Sequence, residues 1–343
     1  MSISEIGIFA RTFTRRSAAE VAEAVRGAGF TLAQFNFSAI GLDTLHPGAQ
    51  PSDFEQVALS FRQHGTDLWG LSATYNVIHP DRTVRDAQTR DALRLIEMSG
   101  LLSVTAVTLC TWTRNPRDMW TWHPDNHSSA AWRDMRATLD ALLSAAACAN
   151  VVLGIEPEPA NVICDARQAA RVLRELGPDT APAGIVLDPG NLVTPATLDR
   201  QQRIIPEAFD LLGEHVIGLQ AKDLNPSGPA ALGRGQLDYD LIIACAQQLA
   251  RLIPIIIQDA TEQAAARSGA FLRARIASRA WPPSSQSGGS QMRSASRSAA
   301  YRPLRSAFHT ARLGGSMSQF ESFCAGAFGQ RFASLPREEP SPL

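Results

Sequence analysis

Two carboxylates stand where apolar runs stop. Val151–Glu156 reads Val-Val-Leu-Gly-Ile-Glu and runs into Pro157 and Glu158; Gly184–Asp188 reads Gly-Ile-Val-Leu-Asp and runs into Pro189, Gly190 and Asn191. A carboxylate ending an apolar strand among other carboxylates suits a hard cation. A third run, Val216–Ala221, leads into Lys222 and Asp223 and carries Gln220 near its end. Lys222 is the only lysine in the chain, every other basic residue apart from histidine being arginine. An ammonium is a compact point donor that a planar guanidinium does not imitate, so this position asks for one. Asp223 beside it is expected to hold that ammonium, and Gln220 shares its face. A fourth run, Ile253–Gln258, ends in Gln258 and Asp259. Between Thr111 and Asn126 lie Trp112, Trp120, Trp122 and His123, whose rings would stack on a sugar, and Asn76 and His79 fall in a similar position further upstream.

The elements that position these groups follow from periodicity. Short apolar runs rich in β-branched residues give eight strands, at about Glu5–Ala10, Thr31–Phe37, Asp67–Ala73, Val104–Thr111, Val151–Glu156, Gly184–Asp188, Val216–Ala221 and Ile253–Gln258. Between and after them, apolar residues recur every three to four positions over Ala18–Ala28, Asp53–His64, Thr83–Ser99, Ala130–Ala149, Ala166–Leu176, Gln201–Leu212, Tyr239–Leu252 and Thr261–Ile276. That is the helical period. Strict alternation of strand and helix implies parallel βαβ units, and eight of them close a (β/α)8 barrel. The polar groups then share one structural address, the strand C-termini, where such barrels keep their active sites. Gly233–Tyr239 reads as a flexible turn into a helix rather than a phosphate loop.

A chain of 343 residues with 45% hydrophobic content exceeds the roughly 250 residues a barrel of this kind needs. The barrel is expected over residues 1–279. Beyond it, residues 280–343 form a low-complexity tail: Trp281–Ala300 is dense in Ser, Gly, Pro and Gln, with Arg as its only charged residue. Such a composition buries too little surface to offset ordering entropy. A formal net charge of -1 offers nothing global to nucleic acid. No apolar run approaches the ~20 residues that span a bilayer, and the N-terminus lacks the basic start of a signal peptide. Five scattered cysteines fit reduced thiols in a cytoplasm. Composition leaves a homo-oligomer open.

Met-Trp at 119–120, His-Pro-Asp-Asn at 123–126, Ile-Glu-Pro-Glu at 155–158, Asp-Pro-Gly-Asn at 188–191, Ala-Lys-Asp at 221–223 and the Gly-Arg-Gly turn together resemble the sugar phosphate isomerase/epimerase family of xylose isomerase-like TIM barrels. The resemblance covers roughly residues 1–275 and implies one divalent metal, Mn²⁺ or Mg²⁺. Its ligands would be a glutamate on strand five, an aspartate on six, a histidine on seven and a glutamate or histidine on eight. Glu156 and Asp188 match the first two. Gln220 and Gln258 stand at the other two, with Glu262 one turn on as a substitute; a metal held by that set would be held weakly. The implied reaction is isomerisation or epimerisation of a small sugar, polyol or keto-sugar, with Glu156 and Lys222 catalytic and Asn76, His79, Trp112, His123, Glu158, Asn191 and Asp223 binding substrate. A sugar-binding barrel with a weakened metal site is the alternative. A related three-zinc endonuclease would need more histidines at strand ends than this chain offers.

Overall fold

The computed structural model describes residues 3–177 and 182–278. The chain divides into two units, residues 1–291 and 292–343; the expected tail lies outside the described residues. The eight expected strands are the staves of one closed parallel barrel: β1 (Ile3–Phe9), β2 (Leu32–Phe35), β3 (Asp67–Ser72), β4 (Ala106–Cys110), β5 (Val152–Glu156), β6 (Ala183–Leu187), β7 (Val216–Ala221) and, after a small hairpin, β10 (Ile253–Ile257). β10 pairs with both β7 and β1 and closes the circle. Pro254 has no N–H for the ladder, and the β1 register slips between Ile3 and Ile6 beside it, the irregularity that proline imposes on a strand paired on both sides.

Helices alternate with the strands: α1 (Ala18–Gly27), α2 (Pro51–Gln63), α3 (Arg82–Met98), α4 (Ser129–Ala149), α5 (Ala166–Leu176), the single-turn α6 (Pro189–Leu192), α7 (Gln201–Leu212), α8 (Tyr239–Gln247) and α9 (Glu262–Ser278). Several start where the sequence supplies a cap. Ser17, Asp81, Ser128, Asp165 and Asp238 each accept a backbone N–H from the first turn of the helix they precede, which satisfies donors the helix leaves unpaired. α8 stops at Gln247, five residues before the expected Leu252, because the chain must turn back into β10.

Phe9, Leu32, Trp69, Ala106, Val186 and Ile256 form one buried cluster, with Ile217 packed against it. Residues from seven different staves meet only inside the barrel, so this cluster is its packed interior. The Trp69 indole needs space, and Gly218 supplies it: a Cβ there would lie 2.5 Å from Trp69 Cζ2.

One element was not anticipated. β8 (Asp223–Asn225) and β9 (Gly228–Ala230) form an antiparallel hairpin straight after β7. Its turn is Asn-Pro-Ser-Gly, in which Asn225 Oδ1 accepts both the backbone N–H (3.0 Å) and the hydroxyl (2.6 Å) of Ser227, and Gly228 takes a φ of +124°.

Candidate active site

Parallel staves gather all their C-terminal ends at one mouth. β4 and β5 end level, Cys110 opposite Glu156. Gly154 faces the interior, since a Cβ on it would meet Val186 Cγ2 at 2.8 Å and Thr108 Cγ2 at 3.5 Å. Strand alternation turns Glu156, two residues on, toward the same interior. Its carboxylate is buried, and Asn191 Nδ2 donates to Oε1 at 2.7 Å. Burial pushes the carboxyl up from 4.5 to about 8, the Lys222 ammonium opposing and Asp188, Glu158 and Asp259 reinforcing. Burial, then the Glu156 charge, also pushes the Cys110 thiol well above its ordinary value, so Cys110 is no thiolate nucleophile at neutral pH.

Lys222 follows β7 and reaches sideways to β6. Its Nζ lies 3.1 Å from Asp188 Oδ2 and 3.9 Å from Asp259 Oδ2. Gly190 makes the crossing feasible, because a Cβ there would come within 2.8 Å of Lys222 Cγ. Burial pulls the ammonium's pKa down, but Asp188, Glu156, Asp259 and Glu158 outweigh it and hold the group charged. Tyr239 Oη donates to the Lys222 carbonyl at 2.7 Å and fixes the backbone beneath. Asp188, fully buried, also accepts the Gly190 N–H at 2.7 Å. Gln220 is buried one alternation below Lys222, and neither end of its amide has a protein hydrogen-bond partner.

The expected pairing of Lys222 with Asp223 is corrected. Asp223 faces away and accepts four backbone N–H groups, from Leu224 (2.9 Å), Gly233 (3.0 Å), Gly235 (2.9 Å) and Leu237 (3.2 Å). The turn read as flexible is therefore wrapped around a buried carboxylate. Asp223 positions the loop after β7.

Glu262, the expected substitute ligand, accepts from both guanidinium nitrogens of Arg15, at 2.5 and 3.1 Å, in an exposed ion pair. Asn76 ties loop to loop: its Nδ2 donates to Thr113 O at 2.8 Å and its Oδ1 accepts from Ile78 N at 3.3 Å. His79 Nδ1 accepts from Asp81 N at 3.2 Å and His123 Nδ1 from Asp125 N at 3.2 Å, each shaping a turn before a helix. Trp112, at 1% exposure, is buried. Its φ of +60° turns it inward, its backbone N–H donates to Asn161 Oδ1, and it meets Trp120 edge-on at 4.2 Å. Trp120 and Trp122, at 55% and 45%, are the exposed indoles of this loop. Glu158, half-buried, receives a long contact from Asn161 Nδ2 at 3.5 Å. The sequence singles out neither Asn161 nor Tyr239, and marks Asp259 as a strand-end polar group without a role of its own.

The set Glu156, Asp188, Gln220 and Gln258 does not fit a resident divalent ion. It offers two carboxylates and two neutral amides, and the Lys222 ammonium already lies on one of the carboxylates. Among the described residues no group of three His, Cys, Asp or Glu is arranged to hold a metal.

Among curated proteins none matches this sequence. Solved structures sharing the fold include 3-keto-D-glucoside 4-epimerase YcjR from E. coli, 16% identical over 79% of this chain and 99% of that one, with a TM-score of 0.61. A xylose isomerase-like TIM barrel protein from Mycobacterium smegmatis, solved in complex with magnesium, is 17% identical over 80% and 97%, with a TM-score of 0.59. D-psicose 3-epimerase from Clostridium cellulolyticum H10, solved with D-tagatose, is 13% identical over 80% and 99%, with a TM-score of 0.60. Identities this low establish the common fold. The family profile described as xylose isomerase-like TIM barrel matches residues 22–274, most of the chain, and so this protein belongs to the xylose isomerase-like TIM barrel family.

Proposed function

We propose that this barrel isomerises or epimerises a small sugar, polyol or keto-sugar by moving a proton alpha to a carbonyl. The observation that carries the reading is the buried Glu156 carboxyl, pushed up to about 8 within reach of the field of a permanently charged lysine. A base is most effective when its pKa lies near the working pH, so burial that raises the carboxyl suits it to proton abstraction. Glu156 takes the proton and Asn191 orients its Oε1. The Lys222 ammonium faces the negative charge that grows on the carbonyl oxygen, a fixed charge in a water-poor site acting where charge develops. Gln220 supplies an amide donor and acceptor for a hydroxyl. Trp120 and Trp122 offer the outer face of the mouth for stacking. The solved relatives whose names are sugar epimerases support the substrate class. The partner is thus a small molecule, and among the described residues no helix is long and apolar enough to cross a membrane.

A second reading is a sugar-binding barrel without turnover. It is favoured by Gln220 and Gln258, which are neutral and accept no proton at a second face of the substrate. Incubation with ketoses and inososes in D2O separates the two. Deuterium entering the carbon next to the carbonyl supports the enzyme, and binding without exchange supports the second reading. Neither binding nor exchange across the panel overturns both.

A further inference from the structure

We propose that Lys222 is the built-in cation of this site and that the barrel works with no divalent ion bound. Four independent placements converge on this. The ammonium sits 3.1 Å from Asp188, one of the two carboxylates a metal would need. The expected substitute ligand, Glu262, is already paired with Arg15. Gln220 and Gln258 contribute no charge. The side chain is also deliberately housed: Gly190 leaves it room, Tyr239 fixes its carbonyl, and Asp223 anchors the chain immediately after it.

Charge balance decides between the two cations. Glu156 and Asp188 are buried, with Asp259 at the edge, and one ammonium partly neutralises them. A divalent ion would enter against that ammonium with two buried carboxylates, and with Asp259 and Glu158 only at the more exposed edge, to offset its loss of water, where hard cations take six or more oxygen ligands. It would have to displace Nζ from Asp188, leaving the ammonium only its longer 3.9 Å contact to the exposed Asp259, and breaking a buried ion pair is unfavourable. The only lysine in the chain therefore occupies the one place where a point charge is required, and a guanidinium would not fit over Gly190 in the same way. What the ammonium does to a carbonyl oxygen rests on the function proposed above; whether the site takes a metal does not.

The test is titration calorimetry of the chelator-treated full chain with MnCl2 and MgCl2, alongside melting curves. The parent should bind neither ion more tightly than about 1 mM, and chelator should leave its melting temperature unchanged. Lys222→Met frees Asp188 and removes the competing charge. It should melt below the parent, gain at least about tenfold in Mn²⁺ affinity and recover part of its lost melting temperature when Mn²⁺ is added. One Mn²⁺ or Mg²⁺ bound by the parent with micromolar affinity, or destabilisation by chelator, overturns the inference. So does a folded Lys222→Met that gains no Mn²⁺ affinity. The parent titration stands alone if the variant fails to fold. None of these outcomes depends on turnover, so failure of the proposed reaction would leave them unchanged.

Discussion

Glu156→Gln should make the protein more stable and inactive at once. The carboxyl is raised from 4.5 to about 8 when folded, chiefly by burial. A carboxyl with a higher pKa in the folded state binds its proton more tightly there. Its favourable contribution is therefore present at low pH and is lost as pH climbs from about 4.5 to about 8. Each pKa unit is worth about 1.36 kcal/mol, so at pH 7 the ionising group destabilises the fold by on the order of 3 kcal/mol relative to a neutral isostere. Glutamine keeps the oxygen that accepts from Asn191 Nδ2, and Lys222 keeps Asp188. For domains near this size a kcal/mol moves Tm by roughly 2–4 °C, so the variant should melt roughly 6–12 °C above the parent at pH 7. Calorimetric melts of both proteins from pH 4.5 to 8.5 read the gap directly. It should be small at the acid end and widen toward pH 8. A constant gap, or a variant less stable than the parent near pH 8, would refute the claim that Glu156 is held in an environment hostile to its charge.

Other substitutions probe the frame around the site. Asp223→Asn replaces one acceptor oxygen with a donor, aimed in either orientation at backbone N–H groups; leaving such groups unpaired costs about 1–3 kcal/mol, so Tm should fall and amide exchange at Gly233 and Gly235 should quicken. Gly218→Ala should destabilise by about 1–3 kcal/mol through overpacking against Trp69, and Trp69→Phe in the same chain should recover part of the loss in chemical denaturation. A chain ending at Arg279 should keep its melting temperature to within a few degrees, as the composition beyond Trp281 requires; an insoluble product or a large drop would show that residues 280–343 support the barrel.

The staves were legible because a parallel sheet covered on both faces needs runs of apolar residues rather than alternation. Val-Val-Leu-Gly-Ile and Ile-Pro-Ile-Ile-Ile fit nowhere else in a chain of this length. The addresses of Glu156 and Asp188 came with them, since a polar residue ending such a run has only the barrel mouth to occupy. Partnerships were another matter. Adjacency in sequence pointed Lys222 at Asp223, yet the two-residue period of a strand already turned those side chains to opposite faces, and the lysine's partner stands 34 positions back on the neighbouring stave. Glu262 shows the limit more sharply. Its availability depended on Arg15, 247 positions away, and only the pairing of β10 with β1 that closes the barrel brings the two together. The burial of Trp112 was illegible for a local reason: its backbone is left-handed, and nothing in Cys-Thr-Trp-Thr-Arg announces that. Residue types at strand ends therefore say which chemistry is present at the mouth, whereas the contacts that decide its charge state, Lys222 on Asp188 and Arg15 on Glu262, are properties of closure. That is why the glutamines at 220 and 258 look like defects in a metal site when read along the chain, and like neutral neighbours of a built-in ammonium once the circle is shut.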